Sequence, residues 1–546
     1  METTIKEEIA PTAEGVEITA QAEQTASDRI RVGTTAIALA AVAVLSKAMG
    51  FGEKIVIAHY FGTTSSADTY FAATGILLSA VFLVRELIFP TLLPTLNEAL
   101  THSSETFHHL FARMFRRTFL IILFVAGAGV FLMPQVTNLL TPGFPDQQRV
   151  ELTRLLRWLL PAGMVMALIA VTYTTLNAKG RLVTASLAEG VSRMILLTAA
   201  ILLIPLFRLD AIPAAMLISA GTCLGIHLIV LRPSIITSRQ TSQPSDRLLK
   251  KTMVLMTPII IGVIFSHISD LVDNLLASRL PTGQLSYLNY AKKITDAILL
   301  IGPAALAVVL YTRAARLASL SRYRELTELV GKGLRLLLFI GVPIACLMIE
   351  LRAMIVRALF QHGSFASSST AGVSGAMVVY GLGLAALSIE GLCVYSFYSL
   401  SDTRTPVTVG VLCVLLNIAL AVLLVKTMGY LGIAAALVIA KSVKVAVLLV
   451  LLHRKLNGGL MNFQWIEFAV KLIAATFLMW LAVRFFDMHP GSAKMSGTII
   501  QLVGVGIISV LVYGGACHLF GMKEPRLLID SIPWGRLLNR RGGIGR

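Results

Sequence analysis

Charge is scarce in this chain of 546 residues. Only 14% are Asp, Glu, Lys or Arg, 56% are hydrophobic, and mean hydropathy is +0.79, whereas ordinary soluble domains carry roughly 25% charge. A soluble core cannot absorb so many long apolar runs, and a membrane β-barrel would need short alternating segments instead. Cysteine is scarce too. All five, Cys223, Cys346, Cys393, Cys413 and Cys517, fall in apolar stretches without metal-type spacing, which leaves small apolar filler as their reading. No Walker A motif is present, so nothing points to ATP hydrolysis. No nucleophile stands with a base at useful spacing, which makes an enzyme the least supported class. Nor is there a basic n-region of a cleavable signal peptide, since residues 1–30 hold seven acids against Lys6 and Arg29. That segment reads as a disordered acidic cytoplasmic tail.

What remains is an all-α polytopic membrane protein. Cutting at polar breaks gives fourteen stretches near the roughly 20 residues that cross a bilayer as helix. They lie near 33–59, 67–96, 118–140, 158–177, 183–206, 211–231, 253–278, 288–311, 335–350, 371–398, 407–426, 431–452, 464–486 and 497–520. With the N-terminus inside, the inner loops collect Arg113, Arg116, Arg117, Lys179, Arg181, Lys250, Lys251, Arg313, Arg316, Arg404 and Arg454. The outer loops keep only Arg149, Arg154, Arg208, Arg279, Arg352, Arg357 and Lys494. By the positive-inside rule both termini are cytoplasmic. The net charge of +18 is then a topology signal that needs no nucleic acid to explain it, with attraction to anionic lipid as a consequence.

A faint repeat organises the spans. Ala58 to Ala72 overlays Ala277 to Ala291 at a shift of 219 residues, and Pro142-Gly143-Phe144 runs towards Gly363-Ser364-Phe365. Six spans separate the copies, so the halves are parallel. The expected division is an acidic tail 1–30, an N-lobe 31–232 of spans one to six and a linker 233–252. A C-lobe 253–456 of spans seven to twelve follows, then two extra helices in 457–521 and a basic tail 522–546.

Charge reappears where lipid should be, at a cost of roughly 2.5–3.5 kcal/mol per centred cation on insertion scales. Span one carries Lys47 and Lys54 seven apart on one helix face, with Glu53 beside them and Gly50 between. Span two adds Arg85, Glu86 and the rim residue Asp68. Span seven places Ser266, Asp270 and Asp273 on one stripe, and span eight answers with Lys292, Lys293 and Asp296, the first and last an i,i+4 pair. These acids and bases either neutralise one another across the two helices or exchange partners as the lobes rock, leaving Lys293 free for an anion in one state. Lys47, Lys54, Arg85 and Lys293 are the candidate cavity cations for an anionic cargo. Glu53, Asp68, Glu86, Lys292 and Asp296 are the gating or structural charges, and Asp270 and Asp273 the candidates for Na⁺ or H⁺ coupling. Glu189 with Arg193, Glu390 with Lys441 or Lys444, and the snorkelling Lys471 and Arg484 read as structural. His59, His267 and His362 lack a coordinating neighbour.

These residues resemble the MurJ/MviN lipid II flippases of the MOP exporter superfamily. Ser46-Lys47-Ala48-Met49-Gly50-Phe51, Ala58-His59-Tyr60-Phe61-Gly62 and Asp68 are similar to that family's S-R-x-x-G-F, a-R-x-F-G and D. Thr141-Pro142-Gly143-Phe144, Leu176-Asn177 and Tyr290-Ala291-Lys292-Lys293 match further landmarks. The most specific are Arg357 to Phe365 and Phe397 to Pro406. The resemblance implies a flippase that moves the undecaprenyl-pyrophosphate-linked peptidoglycan precursor through a central cationic cavity, with Lys47 and Lys293 at the family's arginine positions. Two departures stand out. Glu53-Lys54 reverses the family's basic-acidic order, and Val81 occupies its span-two basic position. Lysine in place of arginine also loses the bidentate fork suited to a diphosphate.

Three functions compete. The first is a flippase for lipid II, or for another lipid-linked anionic oligosaccharide of capsule or exopolysaccharide type, driven by an ion gradient or the membrane potential. The second is a MATE-like antiporter using Asp270 and Asp273, against which a cavity richer in Lys than in acid would repel cationic drugs. The third is a non-transporting scaffold that gathers envelope-synthesis proteins through its tails.

Overall fold

The computed structural model describes residues 41–236, 243–460, 464–487 and 495–526, and every regular element among them is helical. The acidic tail 1–30, linker residues 237–242 and the basic tail beyond 526 lie outside the described residues. The described part of α1 covers 41–61. Then come α2 (Ser65–His102), α3 (Ser104–Leu140), α4 (Asp146–Ala178), α5 (Leu182–Phe207), α6 (Ala211–Ile236), α7 (Gln243–Ser278) and α8 (Gln284–Leu299). A π-turn at Leu300–Ala304 leads into α9 (Ala305–Ser319), followed by α10 (Tyr323–Glu350), the short α11 (Arg352–Phe360), α12 (Ser367–Ser399), α13 (Arg404–Met428) and α14 (Tyr430–Lys455). The last two are α15 (Gln464–Asp487) and α16 (Met495–Leu519).

Among the described residues ten helical stretches are long and apolar enough to cross a membrane, eleven when the bent pair Gln284–Leu299 and Gly302–Ser319 counts as one. One of the ten, Leu182–Arg232, holds both α5 and α6. It doubles back at Arg208, whose φ is 53°, so that Ser192 and Ser219 meet Oγ to Oγ at 2.8 Å. Phe124 and Phe131 on α3 are 78% and 79% exposed, and only lipid makes such a surface stable. This is a multi-pass membrane protein.

Three local features differ from the expectation. Span eight is not one rod: Pro303 lies in the π-turn and the two halves meet at 44°, since proline removes a backbone donor and a π-turn re-routes the ladder. Span three starts at Ser104 rather than 118, because Ser103 Oγ caps it by accepting from Thr106 N at 3.0 Å and the helix continues as a basic stretch. Span nine likewise begins early, at Tyr323. A hydropathy cut sees only the apolar part of such helices.

The packing places the site. Helix α4 packs on α2, α3 and α6, and α5 on α6; α12 packs on α8, α9, α10 and α14, and α13 on α14. Between these groups α7 packs on α2 and α3 on one side and α13 on the other, while α15 and α16 lie against α10 and α11. The Ser-Asp-Thr-Arg-Thr-Pro stretch caps α13: Asp402 accepts from Thr405 N at 3.0 Å, Thr405 Oγ1 at 2.8 Å and Lys455 Nζ at 2.5 Å. The Lys455 bond, with the Thr405 amide, holds this loop carboxyl down at about 2.

Candidate functional site

Glu53, Lys54 and Tyr70 form a closed triad between α1 and the first turns of α2. Lys54 Nζ reaches Glu53 Oε1 at 3.2 Å and also the Tyr70 hydroxyl, which donates to the same carboxylate oxygen at 2.5 Å. Glu53 is 8% and Lys54 9% exposed. The ammonium also lies 4.7 Å from the Tyr70 ring centre. At 1.5 Å per residue Lys54 sits about 10 Å below the end of α1, and Lys293 about 14 Å below the start of α8. Both depths lie well inside a hydrocarbon core of about 30 Å. Lys54 and Lys293 are within Coulombic range of each other, so these two expected cations, from opposite halves of the chain, do converge.

The other two do not join them directly. Lys47 is exposed and makes no ion pair among the described residues. Arg85 lies about 30 Å along α2, bonded at 3.0 Å to Glu189 with its guanidinium 5.0 Å from the Tyr173 ring. The expected Glu189–Arg193 pair is therefore corrected: the long side chain of Arg85 reaches across from α2 and takes the glutamate. Glu86 stands 3.5 Å from His267 Nε2.

On α7 and α8 Lys292 takes the cross-helix partner that the sequence also allowed, rather than Asp296 at i,i+4. Lys292 Nζ bonds Asp270 at 3.0 Å across the helices, and Lys293 faces Asp296 at 3.7 Å. A cross-helix carboxylate outcompetes the one along the helix because Asp270 points into the same gap. The side chains of Lys293 and Asp296 are 44% and 52% exposed although they sit mid-helix, which is the signature of a hollow. Tyr380 of α12 lies within Coulombic range of Lys292, Asp270, Asp273 and Asp296. Asp273 Oδ1 and Asn417 Oδ1 are buried without a hydrogen-bond partner, while Asn417 Nδ2 donates to Ser269 at 2.7 Å. The side chain of Ser266 lies outside the described residues. Glu390 takes both expected partners, Lys441 at 2.9 Å and Lys444 at 2.7 Å. It borders a largely apolar cavity of about 350 Å³ beside Pro303 and Ser388, which none of the four cations lines.

Above this hollow the halves are sewn together. Among the described residues, the hydrogen bonds from 41–236 to 279–460 lie at the end where α1 turns into α2. Asp68 is 2% exposed and accepts from Gly283 N at 2.6 Å, Ser286 N at 2.9 Å and Ser286 Oγ at 2.5 Å. It is the cap of α8 rather than a rim charge. Tyr290 donates to Gly62 O at 2.9 Å, Thr63 and Ser369 meet at 2.6 Å, and Ser364 N donates to His59 O at 2.8 Å. Gly62, at φ 55°, and Gly363, at φ 63°, let the two backbones touch: an added Cβ would stand 2.3 Å from Ser364 O or His59 O.

One pair of rings rides on this seam. His59 and His362 face each other with centroids 5.5 Å apart, and Tyr60 stands edge-on to His59 at 4.8 Å. Burial, helped by the neighbouring His59, holds the His362 pKa below the ordinary histidine value. The closed seam thus favours neutral His362. Its contribution is whole above about pH 6.5, the free value, and is lost as pH falls from there through the depressed value. A Thr63→Cys/Ser369→Cys cross-link across the seam should form more slowly at pH 5.5 than at pH 7.5 once corrected for thiol reactivity. His362→Gln should flatten that difference, and an unchanged profile in the variant would refute the assignment.

The lipid II flippase MurJ family profile matches residues 57–491. The chain belongs to this family. Its members are transporters, not enzymes. The probable lipid II flippase MurJ of Vibrio cholerae is 25% identical over 507 residues, covering 88% of this chain and 95% of that one. The Haemophilus influenzae protein of the same description is 25% identical over 518 residues, with 89% and 100% covered. The lipid II flippase MurJ of Burkholderia cenocepacia is 21% identical, with 88% and 96% covered. Among solved structures, a lipid II flippase MurJ in an inward closed conformation superposes with a TM-score of 0.76 at 20% identity, covering 89% and 98%. An inward-facing MATE multidrug transporter of the MOP superfamily gives 0.67 at 12%, covering 77% and 98%. These two likenesses are of fold.

The MurJ profile match begins after Lys47, Glu53 and Lys54, so their assignment rests on geometry. Sequence reasoning missed Tyr70, Tyr380 and Asn417, which look like ordinary helix residues until the neighbouring charges are placed beside them.

Proposed function

We propose that this MurJ-family chain moves lipid II across the bacterial inner membrane by alternating access. The observation that carries the reading is that Lys54 and Lys293, from opposite halves of the chain, lie within Coulombic range of each other beneath a hydrogen-bonded seam. In this arrangement the outer end is shut, and α7 is the main tie between the halves elsewhere. An anionic headgroup entering from the cytoplasmic side would meet Lys293, whose 3.7 Å contact with Asp296 is long for an ion pair. It would then draw on Lys54, with Lys47 and Arg85 flanking the route.

We also propose fourteen spans in two six-span lobes, 31–232 and 253–456, followed by the pair in 457–521, with both termini inside. Matching pairs support it: α2 on α4 answers α8 on α12, α3 on α4 answers α10 on α12, α4 on α6 answers α12 on α14, and α5 on α6 answers α13 on α14. Counting α5 and α6 separately and adding α1 and α7 reaches fourteen. A tag read from outside the cell at either terminus would refute the orientation.

Purified protein offered lipid II should retain it in native mass spectrometry, and Lys293→Ala should lower the bound fraction about tenfold, the loss of one charge-assisted contact. Equal retention by the variant would remove Lys293 from the site, and no retention by the wild type would remove the reading. The same protein in vesicles, with and without a Na⁺ or proton gradient, tests coupling through Asp273. That carboxylate is the better candidate because Lys292 already neutralises Asp270. A transport rate indifferent to both gradients would exclude coupling.

A further inference from the structure

Arg193 is the cation the site has not used. Its presumed partner, Glu189, belongs to Arg85, so a guanidinium remains on α5 with no ion pair within salt-bridge distance among the described residues. The direction it faces follows from its neighbours. An added Cβ on Gly190 would stand 3.2 Å from Val42 and 3.5 Å from Ser46 Oγ, and one on Gly52 would stand 3.2 Å from Leu197. Positions 190, 193 and 197 share a helix face, so Arg193 faces α1 between those two contacts. On α1 the matching stripe is 42, 46, 49 and 53, which points Arg193 at the level of Met49 to Glu53. Beside it Gly50 has open space: an added Cβ there would meet nothing within 4 Å.

The electrostatic neighbours agree with this placement. Arg193 lies within Coulombic range of Glu53, Lys54 and Tyr70 on one side. On the other it shares Cys223 as a neighbour with Arg85 and Glu189. It therefore bridges two groups of charges that otherwise do not meet, giving a run Lys293, Lys54, Arg193, Arg85. The carboxylate of Glu53 does not need it, because Lys54 and Tyr70 already bond Glu53 Oε1. The cargo does need something like it. Lys47, Lys54 and Lys293 are point charges, whereas a diphosphate is best held by the planar two-pronged fork of an arginine, and Arg85 has its fork on Glu189.

We propose that Arg193 is the residue that grips the diphosphate of the lipid-linked cargo, and so selects diphosphate over monophosphate. This inference rests on the flippase reading. Without cargo Arg193 attracts the Glu53 carboxylate and repels the Lys54 ammonium from a distance. When a diphosphate arrives beside Gly50, its two phosphoryl groups take both prongs of the guanidinium, with Lys54 and Lys293 supplying charge.

The test titrates undecaprenyl diphosphate and undecaprenyl monophosphate into detergent-solubilised full-length protein, read by native mass spectrometry. The variants are Arg193→Gln, Arg193→Lys and the double variant Arg193→Gln/Glu53→Gln. Wild type should prefer the diphosphate. Arg193→Gln should weaken diphosphate binding about ten- to hundredfold and monophosphate binding much less, so that the preference collapses. Arg193→Lys keeps the charge that the triad feels and should also lose most of the preference, which covers the case in which the Gln variant does not fold. A wild-type preference retained in Arg193→Lys overturns the proposal, as does its return in the double variant, which would mean that Arg193 acts only by balancing Glu53. Failure of the wild type to bind either lipid would instead strike the flippase reading.

Discussion

Lys54→Ala is expected to deplete folded protein as well as transport, and adding Glu53→Gln is expected to restore the first without the second. The reason is the burial of the triad. An ion pair taken out of water contributes little net stability while whole, but removing one partner strands the other charge, at about 3–5 kcal/mol. In Lys54→Ala the stranded group is Glu53, 8% exposed and left with the Tyr70 hydroxyl as its one close hydrogen-bond donor. Glu53→Gln removes the stranded charge and keeps the shape, and its amide oxygen can still accept from Tyr70. The thermal midpoint of the purified protein should therefore drop in the single variant and recover in the double. Complementation of a flippase-depleted strain should fail in both, since neither offers the cation that lies within Coulombic range of Lys293. If the double variant restores growth, Lys54 is structural and the anion path runs elsewhere. If the single variant keeps the wild-type midpoint, the triad is not closed off from water.

The same residues show what could be read from the chain alone. Membrane class and the rough placing of the apolar runs followed from composition and period, because a span needs about 20 apolar residues whatever its neighbours are; the early starts at Ser104 and Tyr323 did not. Lys54 and Lys293 could be nominated as cavity cations for a similar reason: a charge at mid-depth is costly anywhere, so its presence alone asks for an explanation. Partners were another matter. Spacing along one helix suggested Glu189 with Arg193, and the structure gives Glu189 to Arg85 instead, because i,i+4 neighbours compete with whatever the facing helix presents and sequence holds no record of facing helices. For Lys292 two readings stood side by side, Asp296 along the helix or an acid across it, and the structure takes the second with Asp270. Asp68 was legible as a charged residue at the start of span two. Its work as the cap of α8 was not, since the two lie 215 or more residues apart. The break at Pro303 left a signal, a proline inside an apolar run, but prolines also sit inside α2 and α10, where neighbouring helices can absorb the lost bond.

Asp68→Ala is expected to open the seam. One carboxylate accepts three hydrogen bonds from the first turn of α8, where aligned backbone dipoles favour negative charge. Bonds to a charged acceptor are worth roughly 1.5–3 kcal/mol each before water repays part of the loss in the open form. A net shift of about 2–3 kcal/mol changes the ratio of closed to open molecules by about 30- to 150-fold. The remaining seam contacts, Tyr290 to Gly62, Thr63 to Ser369 and Ser364 to His59, involve neutral groups and are weaker. The Thr63→Cys/Ser369→Cys pair reads the effect directly. The five native cysteines do not interfere, since four are buried and none is at the seam. Oxidation should trap the pair rapidly in an otherwise wild-type background and at least tenfold more slowly with Asp68→Ala, a conservative reading of that shift, while Asp68→Asn, which keeps one acceptor oxygen, should fall between. Under the proposed alternating access transport should fall with closure, because a protein that cannot shut the seam cannot re-expose its site at the opposite end. Cross-linking as fast in Asp68→Ala as in wild type would mean that backbone contacts at Gly62 and Gly363 hold the seam by themselves, and that Asp68 merely orders the start of α8.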